Sequence, residues 1–176
     1  GLDDNLPAIL IMGGGQGLGP IKEIVRSLDQ LLQQVQLIVV CGINRSLLKW
    51  LKKNKSSFSK RLVCVGYTEQ IDELMTVSEF IVTKPGGLTS AEALSKSLPI
   101  IIVNPLPGQE SQNTQFLLEA GVAQQARDTQ HLQYLAGQLL SKSGQLDEFR
   151  QRANRLAQPN SALKIAQVIL ERLNKE

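Results

Sequence analysis

An α/β fold built on a doubly wound parallel sheet is predicted by three features of the sequence. Short, largely apolar runs recur at Ala8 to Met12, Leu37 to Cys41, Arg61 to Val65, Phe80 to Thr83 and Ile100 to Val103, and they lack the alternation of strands that face water on one side. Stretches with apolar residues at helical spacing separate them. The runs end in turn-forming residues, above all glycine and proline: Gly13 to Pro20, Gly42 to Asn44, Gly66 to Thr68, Lys84 to Gly87 and Asn104 to Gly108. Strands alternating with helices imply parallel pairing with right-handed crossovers. With 176 residues, 42% of them hydrophobic, the chain can bury one sizeable core.

The elements follow in order. Ala8 to Met12 empties into a glycine loop, and Pro20 sits at the first turn of a helix, where its missing N–H does no harm. Ile21, Ile24, Val25, Leu28, Leu31 and Leu32 give that helix one buried face. The loop fits no G-x-G-x-x-G register: the last position falls on Leu18, Pro20 or Lys22. The Walker pattern is missing as well. The next strand ends in Gly42-Ile43-Asn44, without the acidic residue that would hold an NAD ribose. The glycines therefore either let backbone approach a ligand or simply pack tightly, and the loop alone does not decide which.

Asn44 is a good N-cap for the helix carrying Leu47, Leu48 and Leu51, which runs to about Lys53. Ile71, Leu74, Met75 and Val77 line a short helix. Phe116, Leu117 and Ala120 mark another, stopped by Gly121, before an edge strand at Val122 to Ala126. Three helices close the chain, around Leu132 to Leu140, Leu146 to Leu156 and Ala162 to Leu173, with Pro159 separating the last two.

The stretch from Phe80 to Asn113 carries the candidate site. Gly86-Gly87 turns the chain from a strand into a helix starting near Leu88. Thr89 and Glu92 have capping-box spacing, which would satisfy the helix start internally. Alternatively, the bare N-terminus offers its N–H groups and dipole to a phosphate, with Glu92 one turn further in to accept from a ribose. Ile100 to Val103 then leads through Asn104-Pro105-Leu106-Pro107-Gly108 to a polar loop of Gln109, Glu110, Ser111, Gln112 and Asn113. Amides and a carboxylate at the C-terminal end of a parallel strand suit a ligand rich in hydroxyl groups; the simpler alternative is a surface loop with Ser111 capping the next helix.

Composition narrows the classes. A net charge of +3, taken as spread along the chain, is too little to argue for nucleic acid. The densest basic stretch, Lys49, Lys52, Lys53, Lys55, Lys60 and Arg61, reads first as a solvated face and second as a patch for acidic lipid headgroups. Cys41 and Cys64 lie in separate strands, as buried thiols of a reducing compartment do. His131 has no Cys or His beside it to form a metal set. No apolar run reaches the roughly 18 residues of a membrane span, and GLDDN is not a signal peptide. Starting at Gly1, the chain reads as a piece excised from a longer one.

PGGLTSAEALSKSLPIII followed by PGQESQN resembles the donor-binding signature of the glycosyltransferases that include the monogalactosyl- and glucosyl-diacylglycerol synthases. The murein-precursor N-acetylglucosaminyltransferase is a more distant relative. The resemblance implies that residues 1–176 form one donor-binding domain, the Rossmann-like C-terminal half of a GT-B glycosyltransferase, with the N-terminal acceptor domain outside this chain. Gly13, Gly14, Gly15, Gln16 and Gly17 would lie beside a donor diphosphate, which Gly86, Gly87 and Thr89 would also meet. Tyr67 and Thr68 would receive uracil, although by composition alone Tyr67 is an ordinary half-buried aromatic. Glu92 would hold the ribose, a role that displaces the capping box, and Gln109, Glu110, Gln112 and Asn113 would face the sugar. Lys84 either neutralises phosphate or is exposed; exposure is the favoured reading.

The chemistry so implied is inverting hexosyl transfer from a UDP-sugar to a lipid such as diacylglycerol. This domain would stabilise the leaving diphosphate with backbone N–H groups and a helix dipole in place of a metal ion. No other cofactor and no nucleic acid partner is implied. The catalytic base would belong to the missing domain, so this chain alone would bind donor without turnover. The last helix would cross back to that domain, or its apolar face would meet a second copy of the chain. The full protein would be cytoplasmic or peripheral on the cytoplasmic face of a membrane. The competing expectations are a murein-type transferase or UDP-sugar epimerase-like domain, a non-catalytic nucleotide-binding module, and a Rossmann domain without a ligand.

Overall fold

The computed structural model describes residues 1–142 and 144–173. Six strands form one all-parallel sheet: β1 (Ala8–Met12), β2 (Gln36–Val40), β3 (Arg61–Val65), β4 (Phe80–Thr83), β5 (Ile100–Ile102) and β6 (Ala123–Gln125). Their spatial order is β3-β2-β1-β4-β5-β6, the Rossmann arrangement, in which the direction of winding reverses between β1 and β4. The doubly wound sheet is as the sequence predicts, with β6 at an edge.

Period-2 geometry sorts the strand residues into two cores. Ile9, Ile11, Leu37, Val39, Phe80, Val82 and Ile101 face α1 (Ile21–Asp29), α2 (Arg45–Lys53) and α6 (Thr129–Ser141). Leu10, Met12, Ile38, Val40, Ile81, Ile100 and Ile102 face α3 (Ile71–Thr76), α4 (Gly87–Ser95), α5 (Gln109–Glu119) and Ala153 of α7 (Gln145–Leu156). Apolar side chains are needed on both faces of every central strand, which is why the runs do not alternate. Each fully buried Ile or Leu contributes roughly 1.5–3 kcal/mol.

Several expectations are corrected. α1 stops at Asp29, so Leu31 and Leu32 lie beyond it; Leu31 is buried but Leu32 is 94% exposed. The chain turns there because the Asp29 carboxylate accepts from the Lys60 N–H (2.8 Å) and the Ser59 hydroxyl, fastening the helix end to the start of β3. Val77 lies outside α3 and is exposed, and Phe116 points to solvent while Leu117 and Thr114 make the buried side of α5. Gln109 to Asn113 is not a loop: it forms the first turns of α5. Every described residue of α8 (Ser161–Leu173) is exposed, including Leu163, Ile165, Val168, Ile169, Leu170 and Leu173.

Asn44 caps α2 as predicted, its side-chain oxygen accepting from the Leu47 N–H at 3.0 Å, while its amide donates to the Gly17 carbonyl at 3.0 Å. One side chain thus joins the loops after β1 and β2. Asn44→Ala is expected to cost about 1–2 kcal/mol, read as a lower urea midpoint at unchanged slope.

Candidate functional site

Because all six strands run one way, the loops following β1 and β4 share an edge of the sheet at the point where the winding reverses. In open α/β sheets this crevice is the place for a ligand. The first loop is held internally. Leu18 N–H donates to the Gly13 carbonyl (3.0 Å), Gly17 N–H to Gly14 (3.0 Å), and Ile43 N–H to Gly15 (3.0 Å). Packing and openness divide its glycines. A Cβ on Gly13 would overlap the Leu18 backbone, and one on Gly17 (φ +60°) the Cys41 carbonyl; Gly42 (φ +53°) is pressed in the same way against Gly15. Gly14 and Gly15 have open space where a Cβ would stand, and Gln16 is exposed.

The second loop leads into α4. Gly86 is the N-cap residue (φ −65°, ψ 143°), and no side chain caps the helix. The capping box of Thr89 and Glu92 is therefore not formed. The first intrahelical bond runs from the Ser90 N–H to the Gly86 carbonyl (2.9 Å), so the N–H groups of Gly87, Leu88 and Thr89 precede the ladder. Gly86 and Gly87 have nothing within 4 Å of a Cβ position. Bare, dipole-aligned donors at such a terminus form an anion site. Glu92 stands exposed one turn further along.

α5 enters beside this turn. Gly108, at φ 95° and ψ −124°, delivers the chain into the helix, again without a side-chain cap. Glu110 accepts from the Leu106 N–H at 2.7 Å with one oxygen and pairs with the Lys84 ammonium at 3.3 Å through the other. Lys84 is therefore not exposed, its side chain being 12% accessible; the sequence cannot display a partner 26 positions away. Asn113 donates to the Pro85 carbonyl at 2.8 Å. Gln109 and Gln112 are exposed, and Ser111 donates to the Leu106 carbonyl rather than capping a helix.

Tyr67, at the end of β3, is 69% exposed rather than half-buried, and the Thr68 hydroxyl accepts from the Gln70 N–H at 3.1 Å. A groove of about 720 Å³ runs along the outer flank of α4 toward the α7–α8 connection, lined by Leu88, Glu92, Phe116 and Leu156 among others. Of the donor-site residues predicted from the sequence, only Glu92 is among those that line it. Burial pushes the Cys41 thiol up to about 11 and raises that of Cys64 too, although Cys64 is half-buried and not buried as expected; neither shift is in the downward direction of an activated cysteine. His131 accepts from the Arg127 N–H at 3.3 Å beside the N-terminus of α6, in keeping with a local structural role.

The sequence profile of the glycosyltransferase family 28 C-terminal domain matches residues 8–173. Over 172 residues the chain is 35% identical to the processive diacylglycerol beta-glucosyltransferase of Bacillus pumilus, covering 97% of this chain and 45% of that protein. It is 33% identical over 178 residues to monogalactosyldiacylglycerol synthase 2, chloroplastic, of Arabidopsis thaliana, covering 97% and 38%. The chain thus spans less than half the length of these relatives. Among solved structures, Acinetobacter baumannii MurG superposes with a TM-score of 0.76 at 22% identity, over 96% of this chain and 53% of that one. The UDP-GlcNAc 2-epimerase of Neisseria meningitidis, bound to UDP-GlcNAc, gives 0.69 at 21%, over 96% and 45%. At those identities the structural likeness is one of fold.

Proposed function

Since the chain belongs to the glycosyltransferase family 28 C-terminal domains, we propose that it is the UDP-sugar-holding half of an inverting hexosyltransferase with a lipid acceptor such as diacylglycerol. The observation that carries this reading is the uncapped start of α4, opened by Gly86 and Gly87 at the switch point. The N–H groups of Gly87, Leu88 and Thr89 bind the diphosphate. As the glycosidic bond breaks, charge accumulates on that diphosphate, and donors fixed in advance stabilise it without reorganising. Gly14, Gly15 and Gln16 close over it from the first loop. Gly13 and Gly17 act one step back, by shaping that loop.

In the same proposal Glu92 accepts from the ribose hydroxyls, and Tyr67 and Thr68 take the uracil. The exposed amides of Gln109 and Gln112 meet the sugar, and Glu110 and Asn113 hold α5 in place for them. The base and the acceptor pocket lie in a second, N-terminal domain, which also covers the apolar face of α8; without it, that face pairs with a second copy of the chain. The full protein works at the cytoplasmic surface of a membrane.

Isothermal calorimetry with UDP, UDP-glucose, UDP-galactose, UDP-N-acetylglucosamine and NAD tests the reading. UDP and at least one UDP-sugar should bind and NAD should not, with no turnover by this chain alone. Binding that ignores the sugar and survives changes at Gln112 and Asn113 would indicate a non-catalytic nucleotide module. Binding of none of the five would leave the fold without this function.

A further inference from the structure

We infer that the outer surface of α1 and α2 is a docking face for an anionic lipid bilayer. Positive charge is not spread evenly through the chain: residues 21–61 hold nine Lys or Arg against two acids, a net +7, while the whole chain is +3 and the remainder therefore −4. Folding brings most of that excess onto one face. β1 and β2 are neighbours, so α1 and α2 lie side by side over the same core. Lys22 and Arg26 project from α1, while Arg45, Lys49, Lys52 and Lys53 project from α2, with Lys55 just beyond. Among the described residues none of these seven forms an ion pair. Glu23 is the only exposed acid within the segment, the Asp29 carboxylate being buried against Lys60 and Ser59.

Trp50 decides between the polyanions this surface could meet. Lys22 Nζ lies 5.0 Å and the Arg26 guanidinium 5.1 Å from its ring centre, and Phe58 packs edge-on at 6.2 Å. A single-stranded nucleic acid stacks its bases on free aromatic faces, and here cations occupy the ring. An indole flanked by long, partly apolar cationic stems is instead the composition that settles at headgroup level. A fluid anionic surface can supply a phosphate to each of several scattered cations at once, which a discrete small anion cannot.

The inference takes its setting from the lipid-acceptor part of the proposed function, yet is tested apart from it, because vesicle binding is measured without donor or acceptor. A failed UDP titration would leave it standing, and failed vesicle binding would leave the donor site standing. The assay is cosedimentation with phosphatidylcholine vesicles, with and without phosphatidylglycerol. Binding is expected only to the anionic vesicles, declining steeply as salt shortens the screening length. Trp50, the only tryptophan in the chain, should shift its emission to the blue on binding. Lys49→Glu with Lys53→Glu should weaken binding by about 25-fold or more, at roughly fivefold per cation removed. Lys164→Glu with Arg172→Glu on α8 should not weaken it. Circular dichroism and melting confirm that each variant is folded, and Arg45→Glu with Lys52→Glu provides a second pair from the same face. Equal binding to neutral vesicles, equal loss from the α8 pair, or no binding at all overturns the proposal. Preference for a double-stranded oligonucleotide over vesicles does so too.

Discussion

Glu92→Ala is expected to weaken UDP binding about 10- to 100-fold while leaving the melting temperature unmoved. The carboxylate is exposed and has no hydrogen-bond or ion-pair partner among the described residues, so the fold loses nothing when it is removed; surface changes of this kind stay within about 0.5 kcal/mol. A carboxylate accepting from ribose hydroxyls makes charge-assisted bonds of roughly 1.5–3 kcal/mol, and the upper part of that range is lost with the side chain. Glu92→Gln keeps the shape and loses the charge, so it should fall between wild type and alanine. Calorimetry with UDP and with uridine separates the roles: the Glu92 effect should persist with uridine, which retains the ribose but has no diphosphate. An unchanged UDP affinity in Glu92→Ala would remove the ribose contact from the proposal.

The second large effect is on folding, and it divides the glycines into two kinds. Gly17→Ala or Gly42→Ala should destabilise the protein by about 3 kcal/mol or more. Each adds a Cβ at positive φ, +60° or +53°, and each directs it into carbonyl oxygen of the neighbouring loop. The loops after β1 and β2 would have to separate, breaking the bond between Ile43 N–H and Gly15 O. Gly86→Ala and Gly87→Ala should behave in the opposite way. A Cβ there meets nothing within 4 Å and neither residue has a positive φ, so the fold keeps or slightly gains stability from a stiffer unfolded chain, about 0.4–1 kcal/mol. Yet UDP affinity should fall, since the new methyl groups crowd the diphosphate approach. Urea melts and UDP titrations on the four variants give the contrast directly. If Gly86→Ala and Gly87→Ala both bound UDP as wild type does, the start of α4 would not be the phosphate site.

How much of this is legible in the sequence depends on how local the cause is. β1 and β4 fall at the bounds their residue runs indicate, Ala8–Met12 and Phe80–Thr83, because burial on both sides leaves an unbroken apolar signature. Asn44 declares its cap by position alone. The start of α5 could not be seen: Gln109 to Asn113 is polar throughout, has no helical period, and follows a glycine that supplies no capping side chain. Leu32 continues the helical spacing of α1, but the tether from Asp29 to Lys60 that ends the helix spans 31 positions. The placement of the glycine loops at one sheet edge follows from parallel strands and was readable. Which glycines are packed and which are open was not, since that depends on backbone from other loops. The charge of Lys84 is visible in the sequence; its neutralisation by Glu110 is not.

That neutralisation has a bearing on how the site works. The ion pair from Lys84 to Glu110 and the bond from Asn113 to the Pro85 carbonyl clasp the α4 turn to the first turns of α5. The two segments are therefore joined by one ion pair and one hydrogen bond. In the proposed function these are the diphosphate-facing and sugar-facing segments, so a donor carrying both groups would meet one connected unit instead of two separate ones. With the Lys84 ammonium already paired in this clasp, the turn offers oriented peptide dipoles more than net charge, a form of attraction that favours the correctly posed anion over whichever anion is most abundant.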